Sequence, residues 1–338
     1  MTPDAAAAHV RAHLDGLAKP RGSLGRLEDL AVALARAQAS EHPRSTPRRL
    51  VVFAADHGCV ASGVSAWPSE ITGAMIGLML AGGASCNALA HVTGTDLRLI
   101  DVGSLADTLA DTPTFYRDAR NGRGSEDLAH GPALIVAEWD AAWNVGVDEA
   151  DRALADGYVV VAVGEMGIGN TTPAACLTAL LADVPPEVAA GPGAGAGADS
   201  LARKRAVVSS ATLRERPHLA ADTKRAIAAL AGREIAAMAG FFARAAELPL
   251  GVVLDGYVTT AAALAAERLV PGSTERVIAG HRSAEPAHAA ALAYLGLVPL
   301  LELNMRLGEG TGALAAMPLL DMAVAILGVT PLAALAPT

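Results

Sequence analysis

The chain has 338 residues, 52% of them hydrophobic but only 3% aromatic, so its interior must be built from Ala, Val, Leu and Ile rather than from rings. Lys and Arg number 26 against 35 Asp and Glu, and a net charge of −9 lacks the basic footprint that a nucleic-acid partner requires. The 34 Gly and 19 Pro, scattered between apolar runs, argue against both a helical bundle and a disordered chain.

In chain order, the first stretch of about 45 residues carries no strand signal. Met1 to Gly16 holds Asp4, Arg11 and Asp15 and no uninterrupted apolar stretch, so no signal peptide is expected and the protein is placed in the cytoplasm. Short Val- and Ile-rich runs that stop at a Gly or an amide then recur. They are 50–55 before Asp56-His57-Gly58, 97–100 before Asp101-Val102-Gly103, 159–163 before Gly164-Glu165, 250–254 before Asp255-Gly256, 277–279 before Gly280-His281, and 299–303 before Asn304. Each reads as a buried parallel strand. Residues 70–91, 172–181, 224–246 and 259–269 have a helical period, whereas 111–131 has none and reads as a long loop. Residues 185–199, with Gly191-Pro192-Gly193-Ala194-Gly195-Ala196-Gly197, read either as a phosphate-cradling loop or as a plain linker. The apolar segment 312–338 is interrupted by Pro318, Asp321, Gly328 and Pro331, which favours a buried core helix over a membrane span. Strand–helix alternation implies an α/β fold with a doubly wound, mostly parallel sheet. Residues 1–45 and 313–338 are expected to pair in a small helical domain, leaving 46–312 as the large α/β domain.

Ligands of doubly wound sheets sit beyond the carboxyl ends of the strands, and the polar clusters above fall on that edge. In Arg306-Leu307-Gly308-Glu309-Gly310-Thr311-Gly312 an acid stands among three glycines, which would let a ligand approach the backbone while Glu309 points into a pocket. Alternatively, Glu309 caps the following helix. A second acid, Glu165, opens Gly164-Glu165-Met166-Gly167-Ile168-Gly169-Asn170-Thr171-Thr172, where the Asn-Thr-Thr run could cap a helix. Lys204, in Arg203-Lys204-Arg205, is either part of a solvated helix face or the counter-charge of a phosphate. His57 and His281 stand at strand ends, as orienting partners or proton carriers. Cys59, Cys86 and Cys176 lie far apart, without a C-x-x-C pair or a nearby His, so no disulfide framework and no metal site are expected. Dinucleotide, P-loop, G-x-S-x-G and H-E-x-x-H signatures are missing from the sequence.

Longer strings carry a family resemblance. Lys19-Pro20-Arg21-Gly22-Ser23-Leu24-Gly25-Arg26-Leu27-Glu28, Ala55-Asp56-His57-Gly58 and the Gly164–Thr172 string are followed in order by Val253-Leu254-Asp255-Gly256, Gly280-His281-Arg282-Ser283-Ala284-Glu285-Pro286 and Arg306-Leu307-Gly308-Glu309-Gly310-Thr311-Gly312-Ala313. Together they resemble the signatures of the nicotinate-nucleotide–dimethylbenzimidazole phosphoribosyltransferase family over most of the chain. The resemblance implies transfer of the phosphoribosyl group of nicotinate mononucleotide to 5,6-dimethylbenzimidazole, which yields nicotinate and α-ribazole 5′-phosphate for the lower nucleotide loop of cobalamin. It implies a homodimer, without a cofactor, whose large domain is Rossmann-like and whose small domain helps close the partner's site. Glu309 matches the general base, and Glu165 and Lys204 match two further active-site positions. Met75, Met166 and Leu307 fall where the aromatic base is bordered, and Gly167, Gly193, Gly256 and Ser283 where the ribose phosphate is held. Asn170 and Thr171, inside a matched signature, join the substrate-binding set, as does Trp67, which is large for a position near the base. Ala74 stands where the family often has Gln, and the loop 193–199 lacks the Thr and paired Asp common in relatives while Asp199 and Lys204 remain. A relative with another azole or a phenolic acceptor, or a ligand binder without turnover, are the alternatives. Retention of both acids weighs against the binder.

Overall fold

A computed structural model describes residues 1–107, 112–193, 195 and 197–335. Asp111 of the segment 111–131, Ala194 and Ala196 of 185–199 and the last three residues of 312–338 lie outside the described residues. Strands β1 (Arg48–Ala55), β2 (Asp96–Gly103), β3 (Tyr116–Asp118), β4 (Val160–Met166), β5 (Gly251–Leu254) and β6 (Val277–Ala279) form one parallel sheet in the order β3-β2-β1-β4-β5-β6. β1, β4 and β5 are buried along their whole length, which is why apolar runs at their centres replace alternation, with the charged Arg48, Arg49 and Glu165 standing near strand ends. The order reverses between β1 and β4, the place where a doubly wound sheet opens a crevice at its carboxyl edge.

Helices α1 (Pro3–Asp15), α2 (Arg26–Gln38), α3 (Glu70–Leu80) and α4 (Ser85–Val92) cover one face, where they meet Leu50, Val52, Val160 and Ala162. The other face, with Val51, Phe53, Val161 and Val163, is covered from α5 (Val136–Ala155), α6 (Thr171–Leu181), α7 (Pro186–Ala189), α8 (Ala198–Glu215), α9 (Thr223–Ala228), α10 (Arg233–Ala245), α11 (Tyr257–Leu269) and α12 (His288–Tyr294). Small residues replace rings as the packing device. A Cβ on Gly146 of α5 would stand 1.7 Å from the Ala237 carbonyl oxygen of α10, so the two backbones touch. Helix α13 (Thr311–Ala325) returns to the first face and buries Leu314, Met317, Leu320 and Ala323 there. The segments beyond α1 and α13 are tied together, Ala18 N–H donating to Thr330 O and Leu332 N–H to Gly16 O, both at 2.8 Å.

Four local readings are corrected. Residues 299–303 are not a strand: Pro299 has no N–H for a ladder, β6 is only three residues long, and the pairing is limited to a bridge between His281 and Leu301 with the backbone bonds of Leu300 N–H to Ala279 O and Leu301 N–H to Gly280 O beside it. The segment 111–131 holds the edge strand β3, too short to show a period. Residues 70–91 form two helices, broken where Gly82 adopts φ +77°. Residues 224–246 likewise form α9 and α10, the second beginning after Gly232.

Candidate active site

Glu165 is the penultimate residue of β4, level with Phe53 of β1 at the point where the strand order reverses. The loop carrying Glu309 lies directly on it, with Glu309 N–H donating to Glu165 O at 3.2 Å. A Cβ on Gly308 would come within 2.2 Å of Glu165 Oε1, and one on Gly164 within 2.5 Å of Gly310 N. Bare backbone on both sides is therefore what allows the two acid loops to touch.

Glu309 itself is left-handed at φ +59°, a conformation that costs a residue with a side chain roughly 1–2 kcal/mol. Its Oε2 accepts the N–H of Cys86 at 3.1 Å, in the first turn of α4, and the side chain is only 3% exposed. The acid thus caps an earlier helix, not the following one. That following helix, α13, is served by Asp255 at the end of β5, whose Oδ1 accepts Gly312 N–H at 2.6 Å and Ala313 N–H at 2.9 Å.

Loss of water around buried Glu165, reinforced by the nearby charge of Asp255, pushes its carboxyl well above the usual carboxylate range. A hydrogen bond from Asn170 Nδ2 to Oε2 opposes the shift. Asn170 makes no side-chain bond to the N-terminus of α6, so the capping alternative for this residue is replaced by a role at the acid. His281 and Asp255 form a second buried couple, Nε2 to Oδ1 4.0 Å, in which burial lowers the imidazole pKa and raises that of the carboxyl.

Lys204, on α8, is 1% exposed and so belongs to no solvated face. Its Nζ donates to Thr171 Oγ1 and to Gly191 O, both at 2.8 Å, and desolvation lowers its pKa to about 8 although Glu285 favours the charge. The Gly/Ala loop is no free linker either. Gly193 N–H donates to Glu285 Oε1 at 2.9 Å, while Gly193 O accepts Arg306 Nη1 at 3.1 Å.

These groups surround a cavity of about 630 Å³. All thirteen residues placed in the catalytic and substrate-binding set line it: Glu309, Glu165, Lys204, Trp67, Met75, Met166, Gly167, Asn170, Thr171, Gly193, Gly256, Ser283 and Leu307. Ile71 and Met75 of α3 join Met166 and Ile168 in one apolar cluster, a surface suited to a flat ring. Trp67 and Leu307 are 50% and 59% exposed beside the buried acids. Ile71, Asp255, Tyr257, His281, Glu285 and Arg306 also line the cavity and were not singled out as ligand contacts. Four of them, Asp255, His281, Glu285 and Arg306, lie inside the matched strings, and Ile71 stands about one helical turn before Met75. His57 lies behind the cavity, Nε2 3.0 Å from Glu234 Oε1, where burial opposes its charge but the Glu234 carboxylate prevails and raises the imidazole pKa. A cavity with two buried acids, a lysine-centred anion cradle and an apolar wall can hold a phosphorylated sugar and a ring together and move a proton between them.

A family model described as phosphoribosyltransferase matches residues 2–333. The chain is 47% identical over 328 residues to the nicotinate-nucleotide–dimethylbenzimidazole phosphoribosyltransferase of Mycobacterium bovis (strain BCG / Pasteur 1173P2), covering 96% of this chain and 90% of that protein. Identity to the Mycobacterium avium (strain 104) enzyme of the same name is 47% over 325 residues, with 95% and 91% covered. The crystal structure of CobT from Thermus thermophilus is similar with a TM-score of 0.93 at 41% identity, covering 99% of this chain and 100% of that one. A structure of the nicotinate-nucleotide-dimethylbenzimidazole phosphoribosyltransferase from the same organism gives 0.92 at 40% identity, with both chains covered completely at 100%.

Proposed function

Because the chain belongs to the nicotinate-nucleotide–dimethylbenzimidazole phosphoribosyltransferase family, we propose that its cavity transfers the phosphoribosyl group of nicotinate mononucleotide to 5,6-dimethylbenzimidazole. The products are nicotinate and α-ribazole 5′-phosphate, destined for the lower nucleotide loop of cobalamin. The observation that carries this reading is the contact of the Glu165 and Glu309 loops at one cavity wall, next to the Lys204 cradle.

The leaving ring is a pyridinium, so it departs as neutral-ring nicotinate once the C1′–N bond breaks, and no general acid is needed. Positive charge grows on C1′ as it leaves. A carboxylate in a water-poor cleft stabilises that charge, the role assigned to Glu165. Burial favours the protonated form of Glu165, and the incoming cationic ring shifts it toward the carboxylate. The benzimidazole attacks through one nitrogen from the face opposite the departing ring, which converts β to α. Its other nitrogen must lose a proton or the product ring stays cationic, and Glu309 takes that proton. With Oε2 engaged by Cys86 N–H, Oε1 is the oxygen left for it. Lys204, Gly167, Gly193, Gly256 and Ser283 hold the ribose phosphate, Asn170 and Thr171 support it through Glu165 and Lys204, and Trp67, Met75, Met166 and Leu307 border the acceptor ring. Aligning both reactants contributes up to roughly 7–11 kcal/mol.

The working unit in this reading is a homodimer. A small helical domain from 1–45 and 313–338 helps cover the partner's cavity, which accounts for an exposed Trp67 and Leu307 beside buried acids. Three buried, unpaired cysteines suit a reducing cytoplasm. Incubation with nicotinate mononucleotide and dimethylbenzimidazole, followed by chromatography for nicotinate and the α-anomer, tests the proposal. Turnover only with another azole or a phenol would replace the acceptor, and binding without turnover of any acceptor would sink the proposal.

A further inference from the structure

His288 opens α12, is fully buried, and does not line the cavity. Its Nδ1 lies 2.8 Å from the backbone N–H of Ser283 and can only accept there. That fixes the tautomer: Nε2 carries the proton and donates it to Thr260 Oγ1, 2.8 Å away. The Thr260 hydroxyl in turn donates to Gly256 O at 2.8 Å. A chain of hydrogen bonds thus runs from Ser283 N–H through the imidazole and a hydroxyl to Gly256 O, which also accepts Thr260 N–H at 3.0 Å and Thr259 Oγ1 at 2.9 Å. Ser283 and Gly256 face the cavity from different loops, and a Cβ on Gly256 would be 3.9 Å from the Ser283 Cβ.

Ser283 offers a ligand its hydroxyl rather than its backbone. Backbone N–H groups of Arg282, Ser283, Ala284 and Glu285 are all engaged, by Leu301 O, His288 Nδ1, Met305 O and Ser283 Oγ. Ser283 Oγ accepts from Glu285 N–H at 3.3 Å, which leaves the O–H as the donor that Ser283 itself offers. From this geometry we infer that His288 is a positioning residue for the nucleotide half-reaction: it locks Ser283 against Gly256 so that the Ser283 hydroxyl, not a backbone N–H, is presented to the phosphate. Burial, with His281 and Arg282 nearby, brings the His288 pKa down to about 3, so the neutral tautomer persists across the working pH range.

The inference rests on the phosphoribosyl reading, and wild-type turnover measured in parallel tests that reading separately. His288→Leu removes both hydrogen bonds of the imidazole, His288→Asn retains an acceptor near the Nδ1 position, and Thr260→Val removes the hydroxyl between the imidazole and Gly256 O while the Thr260 N–H bond to that carbonyl remains. Expected for His288→Leu is a rise of about tenfold in KM for nicotinate mononucleotide, the size of one lost buried hydrogen bond, with KM for dimethylbenzimidazole within about twofold. His288→Asn should recover most of the loss, and Thr260→Val should shift the nucleotide KM in the same direction. Equal changes in both KM values, or an Asn variant no better than Leu, would overturn the assignment. If His288→Leu does not fold, Thr260→Val decides alone: a selective rise in nucleotide KM supports the relay, and an unchanged value overturns it.

Discussion

Glu309 and Glu165 are joined through their backbones, the N–H of the first donating to the carbonyl of the second at 3.2 Å, with only glycine between the two carboxyl-bearing segments. The two acids proposed as base and charge stabiliser are therefore placed by one contact between two loops. Disturbing that contact should disturb both functions together.

Gly308→Ala is the most direct disturbance. Gly308 has φ +92°, and the added methyl would stand 2.2 Å from Glu165 Oε1. Strain and clash should cost about 1–3 kcal/mol of stability, and displacement of Glu165 should lower kcat at least about tenfold. Thermal melting and steady-state rates measure the two effects. A variant with wild-type values for both would show that the loops do not depend on this contact.

Glu309→Gln keeps a carbonyl oxygen for the Cys86 N–H yet cannot accept a proton at working pH. Its fold should persist while kcat drops on the order of 10²–10⁴-fold. Near-normal turnover would remove the base assignment.

Lys204 should make nucleotide binding pH-dependent. With a pKa of about 8 it is cationic below that value, so affinity for the phosphate should weaken as pH rises through about 8. In the ligand-free enzyme the sign for stability is the reverse. Between about 8 and the ordinary 10.5 the unfolded chain binds the extra proton, so stability rises with pH across that window. Calorimetric titration with nicotinate mononucleotide over this range checks the first point, and denaturant midpoints check the second. Lys204→Met should flatten both profiles, and a wild-type pH dependence in that variant would contradict the assignment.

Glu165 should release a proton when the nucleotide arrives. Burial and the nearby Asp255 raise its pKa, and a bound pyridinium favours the carboxylate. Calorimetry in buffers of different ionisation enthalpy should show more proton release for the wild type than for Glu165→Gln. Identical proton counts would mean that Glu165 is already ionised before binding.

Much of the fold and the site was legible in the sequence. Apolar runs ending in Gly and an acid located five of the six strands, because a strand buried on both faces is apolar through its centre and must end where the chain turns. β3 and the false strand at 299–303 escaped for the converse reason: three residues have no period, and an apolar run that includes Pro299 cannot complete a ladder. The acids were legible because glycines flanked them, and in the structure Gly164, Gly308 and Gly310 each avoid a clash with a neighbouring segment.

The order of the chemistry-bearing segments, the apolar strands and the family resemblance were therefore set by sequence, since glycine placement and hydrophobic runs are local properties that each segment carries alone. Only the tertiary structure decided that Glu309 caps α4 and not α13, that Asn170 serves Glu165, that Lys204 is buried, and that His288 ties Ser283 to Gly256. Those are choices of partner by buried N–H groups, carboxylates and an imidazole. Each must find a hydrogen bond somewhere, and which one it finds depends on segments far away in the chain.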